Sequence, residues 1–444
     1  MNAMNLPRRF QFARCLTWIF LVAIPLPLGA AEPDEWVKDN LEPLVKLYRH
    51  FHQNPELSFR EKETAARLAE ELRAVGAEVT ENIGGHGVVG LLKNGSGPTL
   101  MLRCDLDALP VVEETGLRYS SSVKAKVKGE EVGVMHACGH DIHITNQIAV
   151  ARYLAAHRDR WQGTLMFVGQ PAEERGAGAR AMLDDGLFKK FPQPDYALAM
   201  HVDAALACGK VAYRPGYVCA NVNSVDVVMK GRGGHGAYPH TTIDPVVLAA
   251  HLVVDLQSIV SREIKPTEPA VITVGAIHGG TKHNVIGDTC RLQLTVRSYS
   301  DEVRTHLLEA IERKAKAVAA GARAPEPDVR VSEGTPSLKN DAELAERVGG
   351  AFRRALGEDN VVPTEPTMGG EDFSRYGRAG VPIVMYRVGS VLPRRLAAFA
   401  RFEQTPPSLH SPKYYPDPEE TLTASVTAMA AAALELLPKS DENN

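Results

Sequence analysis

The chain has no excess of either charge. Its 50 Lys and Arg residues are balanced by 54 Asp and Glu, a formal net charge of −4, and no long run of one sign occurs. The basic patch that nucleic-acid binding requires is therefore missing. Cysteine is sparse. Of six, Cys15 lies near the N-terminus, and Cys104, Cys138, Cys208, Cys219 and Cys290 are scattered through the rest. Five widely spread cysteines do not make a disulfide framework, although a Cys208–Cys219 bridge stays open. Internal repeats and low-complexity segments are absent. Beyond the first thirty or so residues, no stretch reads as long and apolar enough to span a bilayer.

What remains is an ordinary globular composition, 44% hydrophobic and 23% charged. At 444 residues it exceeds one ordinary core, which predicts two domains. The N-terminus stands apart. Arg8 and Arg9 precede an apolar run from Cys15 to Leu28, broken by Pro25 and Pro27, and then the small residues Gly29, Ala30 and Ala31. This is the layout of a cleavable signal peptide over residues 1–31, with a periplasmic or secreted mature protein. The alternative is an uncleaved anchor. The arginine pair leaves Sec and twin-arginine export both open.

Three apolar strands each run directly into a cluster of ligand-type side chains. Thr99 to Cys104 meets Asp105 and Asp107, Thr164 to Val168 is followed by Glu173 and Glu174, and Tyr196 to Met200 meets His201. Helices alternate with these strands, at Glu35 to His52, Thr64 to Val75, Ile142 to His157 and Arg180 to Asp184. The pattern predicts an α/β domain with a largely parallel sheet and helices on both faces. In open sheets of that kind, sites form beyond the carboxyl ends of the strands, so the three clusters are expected along one edge.

From about Val222 the texture changes to β-α-β-β-α-β, the split arrangement of ferredoxin-like domains. Asp244-Pro245 and Ser300 read as helix starts. Residues 222–334 are therefore read as an inserted α+β domain, with 32–221 and 335–444 forming the two parts of the catalytic domain.

The densest chemistry lies in Met135-His136-Ala137-Cys138-Gly139-His140-Asp141-Ile142-His143. Thiolate, imidazole and carboxylate are the groups that hold transition-metal dications. Cys138 and His140, separated by one glycine, can face one site from a turn, whereas His136, Asp141 and His143 are left to support or helix-start roles. Glu174, His201 and His410 complete five candidate ligands. One shared among five suits two ions about 3.5–4 Å apart, the spacing of dinuclear hydrolases. Glu173, beside a ligand yet pointing elsewhere, is suited to act as general base and then to protonate a leaving amine. Asp107 is expected to orient a ligating imidazole.

Asp105-Leu106-Asp107-Ala108-Leu109-Pro110, the Met135 to Asp141 stretch, Gln170-Pro171-Ala172-Glu173-Glu174, Gly234-His235-Gly236-Ala237-Tyr238-Pro239-His240, Asn284-Val285-Ile286 and Gly370-Glu371-Asp372-Phe373 occur in that order. Together they resemble the N-acyl-amino-acid amidohydrolases, which include hippurate and auxin-conjugate hydrolases, within the aminoacylase and glutamate-carboxypeptidase superfamily. The resemblance spans about residues 36–437. It implies a catalytic domain binding two divalent metals, interrupted by a lid or dimerisation domain. It implies metal ligands at Cys138, His140, Glu174, His201 and His410, with Glu173 as base and Cys138 standing where many relatives have a bridging aspartate. That cysteine leaves the metal open among Mn, Zn, Co and Ni. His235 resembles a histidine that stabilises the oxyanion, supplied in dimeric relatives by the partner subunit, and Asn284 resembles a substrate-contacting residue. One departure is Gly287, where relatives usually have proline.

The activity so implied is hydrolysis of an N-acyl amino acid to a carboxylic acid and an amino acid, in a homodimer or higher homo-oligomer. The alternatives are a dipeptidase or carboxypeptidase on the same fold, and a metal-dependent binding protein without catalysis.

Overall fold

The computed structural model describes residue 1 and residues 32–439. The signal-peptide reading of 1–31 therefore lies, residue 1 aside, outside the described residues. An eight-stranded sheet dominates. Its strands lie in the order Glu78–Ile83, Gly87–Asn94, Gly163–Gln170, Thr99–Asp105, Tyr196–Ala207, Ile383–Val391, Val211–Tyr213, Val361–Pro363. The four central strands run parallel. Antiparallel strands at one edge and the antiparallel Val211–Tyr213 make the sheet mixed.

Parallel strands covered on both faces are predominantly apolar, and all seven residues of Thr99–Asp105 are buried, the charged Arg103 and Asp105 included. One face packs on the helices Leu41–Gln53, Lys62–Ala74, His140–Ala156, Ala342–Leu356 and Pro418–Leu436 through residues such as Phe51, Leu68, Ile148, Phe352 and Met429. The other face packs on Gly178–Asp184 and Ser374–Arg378 through Met182 and Tyr376.

A second, four-stranded sheet is antiparallel throughout, in the order Ala270–Gly279, Thr289–Ser298, Asn221–Lys230, Asp328–Val331. Asn221–Lys230 buries every other residue, as expected of a strand covered on one face only. The helices Pro245–Ser258 and Asp301–Gly321 cover that face, giving the expected β-α-β-β-α-β order and a separate apolar cluster around Val227, Leu252, Leu292 and Ile311. Both predicted helix starts hold. Asp244 accepts from the Val246 amide at 2.9 Å, and Ser300 accepts from Val303 at 3.1 Å. With its following turn, Pro245–Glu263 is, contrary to the sequence reading, long and apolar enough to cross a membrane. Leu248, Leu252 and Leu256 instead bury its inner face in the small cluster.

Other differences are local. The single helix read from Glu35 to His52 is two, Pro33–Asp39 and Leu41–Gln53. Asn40 divides them, its side-chain amide donating to the Trp36 carbonyl at 2.8 Å and closing the first helix. The five described cysteines are all free, so Cys208 and Cys219 are not bridged.

One buried group outside the sheet makes a testable contribution to stability. His52 lies between two carboxylates, its Nδ1 2.7 Å from Asp141 and its Nε2 3.1 Å from Glu113. Burial alone would lower its pKa, but the two acidic partners outweigh burial and raise it to about 9. Because the folded value exceeds the unfolded one, the contribution is full below pH 6.5 and is lost as pH rises through 9. Its ceiling is on the order of 3 kcal/mol. The gap in urea-unfolding free energy between wild type and His52→Gln should therefore narrow between pH 6.5 and 9.5. A gap that stays constant across that window would show that the imidazole is not charged in the fold.

Candidate metal centre

The parallel strands deliver their clusters to one edge, as their order in the sheet requires. Asp105 stands in register with Gln170 on the neighbouring strand. Beyond Gln170 the chain turns sharply, with Ala172 in the left-handed region at φ 52°, and then forms the short 3-10 turn Glu173–Arg175. Gly139, at φ 77°, starts the helix His140–Ala156. A Cβ there would come within 2.6 Å of the Val202 side chain, so the turn that separates Cys138 from His140 needs glycine.

Around Cys138 the five candidate ligands converge. Its Sγ is 3.4 Å from His201 Nε2 and 3.3 Å from His410 Nε2. Glu174 Oε1 is 3.4 Å from His410 Nε2 and 3.9 Å from His140 Nε2. Cys138 belongs to two groups of ligand atoms, one with His140 and His201, the other with Glu174 and His410.

The hydrogen bonding fits a metal. His140 donates from Nδ1 to the Asp107 carbonyl at 2.7 Å, and His201 from Nδ1 to the Val202 carbonyl at 2.7 Å. Each bond fixes the tautomer that leaves Nε2 as a lone pair facing the cluster. His140 Nε2 and Glu174 Oε1 are buried and have no hydrogen-bond partner, a costly arrangement unless a cation occupies the space between them. His143 differs, its Nδ1 2.5 Å from Asp105 and its Nε2 accepting from the Val202 amide at 3.1 Å, so both nitrogens are spent.

Asp107 meets His140 through its main-chain carbonyl, at 2.7 Å, rather than through the carboxylate that was expected to do so, whose Oδ1 is 3.7 Å away. Its carboxylate accepts from the Glu173 and Glu174 amides at 3.1 Å each and from the Ser58 hydroxyl at 2.7 Å. It fixes the turn that carries both glutamates, while its main-chain carbonyl orients His140. It does not line the cavity.

That cavity has a volume of about 600 Å³ and is lined by Cys138, Glu173, Glu174, His201 and His410, among others. His235 and Asn284 are not in its lining. They sit together on a small exposed ribbon, Gly234–His235 paired with Val285–Ile286, with the Gly236 amide donating to the Asn284 carbonyl at 2.9 Å.

Sequence reasoning missed the base of the site. Arg103 is fully buried and donates to Asp105 at 2.8 Å, Glu371 at 3.0 Å, Asp372 at 3.1 Å and Gln170 at 3.0 Å. Its signal was a lone cation inside an otherwise apolar strand. Burial would raise the Asp105 carboxyl, but His140, His143 and Arg103 hold it well below the usual range. Glu173 is pushed well up, by burial first and then by the negative charges of Glu371, Glu174 and Asp372. Burial also pushes the Cys138 thiol up to about 12. A dication at the site would reverse that, since a coordinating thiol is deprotonated outright.

Comparison with known proteins places this geometry. Residues 101–400 match the profile of Peptidase family M20/M25/M40. The chain is 37% identical over 332 residues to the hippurate hydrolase of Campylobacter jejuni, covering 74% of this chain and 83% of that one. It is 35% identical over 345 residues to thermostable carboxypeptidase 2 of Saccharolobus solfataricus, covering 77% and 84%. Among solved structures, the Bacillus subtilis YXEP protein, a dinuclear metal-binding peptidase of the M20 family, matches with a TM-score of 0.75 at 30% identity, covering 90% of this chain and 99% of that one. The chain therefore belongs to Peptidase family M20/M25/M40 and is a metal-dependent hydrolase of the amidohydrolase and peptidase type.

Proposed function

We propose that the protein hydrolyses the amide bond of N-acyl amino acids, releasing a carboxylic acid and a free amino acid. The observation that carries this reading is the position of Glu173 in a cavity shared with Cys138, Glu174, His201 and His410, with His140 reaching the same cluster. Cys138, His140, Glu174, His201 and His410 would hold two divalent ions, Cys138 being common to both. Ions there would supply Lewis-acid charge to polarise the acyl carbonyl and acidify water.

Glu173 takes the proton of the attacking water and returns it to the departing amine. Asp107 holds Glu173 in place through the main chain of its turn. The carbonyls of Asp107 and Val202 keep His140 and His201 from swinging away. His235 and Asn284 supply oxyanion and substrate contacts from a second copy of the chain, which their exposure and their place outside the cavity support. A homodimer is then the active unit. The sequence of residues 1–31 supports export to the periplasm or beyond.

The carboxypeptidase relative, at similar identity, favours a second reading as a peptidase. A panel of hippurate, N-acetyl amino acids and dipeptides separates the two. Activity should vanish on chelation and return with Mn²⁺, Co²⁺, Ni²⁺ or Zn²⁺. Full turnover by the stripped protein would sink the metal-dependent mechanism, and dipeptides cleaved in preference to N-acyl amino acids would favour the peptidase.

A further inference from the structure

Three guanidinium groups line the cavity without a carboxylate partner among the described residues; Arg175 is exposed to water, which leaves two that are half-buried, Arg297 and Arg387. Arg387 lies on the central strand Ile383–Val391, in register with His201 on the parallel neighbour. Residues in register share a face of the sheet, so its half-buried side chain stands beside that of His201. Among the described residues its one side-chain hydrogen bond goes to Cys219 Sγ, at 3.9 Å. Arg297, also half-buried, comes from the small sheet and donates to the Met368 carbonyl at 2.6 Å and the Thr295 hydroxyl at 3.2 Å. Both line the same cavity as Cys138 and Glu173.

The acids of the cavity do not answer these cations. Glu371 and Asp372 are bound by Arg103 from beneath, and Glu174 faces His140 and His410. A guanidinium withdrawn from water without an anion is costly, more so beside a site built to hold dications. Its natural partner is a carboxylate brought by the substrate, gripped by two parallel hydrogen bonds. Every N-acyl amino acid carries one carboxylate, enough for one guanidinium. Two such groups call for two.

Resting on the N-acyl-amino-acid reading above, we infer that Arg387 and Arg297 make the enzyme selective for dianionic substrates. These are N-acyl amino acids with a second carboxylate, on the amino-acid side chain or at the end of the acyl group. Arg387 is then a specificity-determining residue.

The test compares kcat/KM of the metal-reconstituted full chain on two isosteric pairs. N-acetyl-L-glutamate against N-acetyl-L-glutamine places the second charge on the amino acid. N-succinyl-L-leucine against N-(4-methylpentanoyl)-L-leucine places it on the acyl group. Wild type should favour the charged member of one pair by about tenfold or more, and that pair tells which end carries the charge. Arg387→Leu should bring the ratio close to one, mainly through KM of the charged substrate, and Arg387→Lys should restore part of it. If Arg387→Leu does not fold, Arg387→Gln gives the same comparison. Ratios near one in wild type, or a preference that survives loss of the guanidinium, would overturn the inference while leaving amide hydrolysis intact. No hydrolysis of any of the four would defeat the underlying reading, and this one with it.

Discussion

Glu173→Gln should bind its full complement of metal and lose catalysis by about 10²–10⁴-fold in kcat, the usual worth of a positioned general base. The substitution keeps the size and shape of the side chain but removes its capacity to accept a proton. The Asp107 bonds that hold this turn go to main-chain amides and survive the change. Cys138, His140, Glu174, His201 and His410 are untouched, so metal content measured on the purified variant should match wild type. KM should move little, because the loss falls on the transition state. Two results count against the assignment. Residual activity above a tenth of wild type would mean that another group carries the proton. Loss of metal together with activity would make Glu173 a ligand instead.

The contrast with Glu174 sharpens the point. The two residues are adjacent in sequence and share the Asp107 anchor. Yet Glu174 Oε1 is the orphaned oxygen near His140 and His410, while Glu173 also lies with Glu371 and Asp372. Under the proposed mechanism Glu174 would face the metal and Glu173 would handle the proton, each from its own position in the 3-10 turn, with both carboxylates within reach of His140.

The presence of two carboxylates in one turn was legible in the sequence, because Glu173 and Glu174 follow closely on an apolar strand. The sheet edge was legible for a similar reason. Strands that are predominantly apolar make an abrupt polar ending conspicuous, as at Asp105 and His201. Cys138 and His140 stood out through density alone. His410 was harder, since a loop histidine has no periodic neighbour, and only the fold brings its Nε2 within 3.3 Å of Cys138. Asp107 shows where side-chain logic fails. The imidazole bond it was expected to make through its carboxylate is made by its main chain, which no residue type reveals. The short strands Val211–Tyr213 and Val361–Pro363 were missed because three residues carry no measurable alternation. The pairing of Arg103 with Glu371 and Asp372 was missed because they are about 270 positions apart in the chain and meet only under the finished sheet.

Arg103→Met should be the most destabilising single change in the large sheet, at about 3–5 kcal/mol, the cost of stranding buried charges by removing one partner. Methionine matches the length of the apolar stem, so packing in the strand is largely kept. What disappears is the fork that serves Asp105, Glu371, Asp372 and Gln170 at once. Asp105 retains His143, but Glu371 and Asp372 lose their buried cation. Even with Arg103 present, burial pushes the Asp372 carboxyl up to about 7, so the native network is already short of positive charge. A carboxyl whose folded pKa lies above its unfolded one loses stability as pH rises between the two values. Removing Arg103 raises that folded value further. The gap between wild type and Arg103→Met should therefore be smallest near pH 5 and widen toward pH 8. Urea unfolding followed by circular dichroism at both pH values measures it directly. Arg103→Lys, which keeps the charge but not the planar fork, should fall between the two and stay folded where methionine does not. An Arg103→Met protein as stable as wild type at pH 8 would mean that the three acids are protonated or hydrated in the fold. The site would then rest on some support other than this arginine.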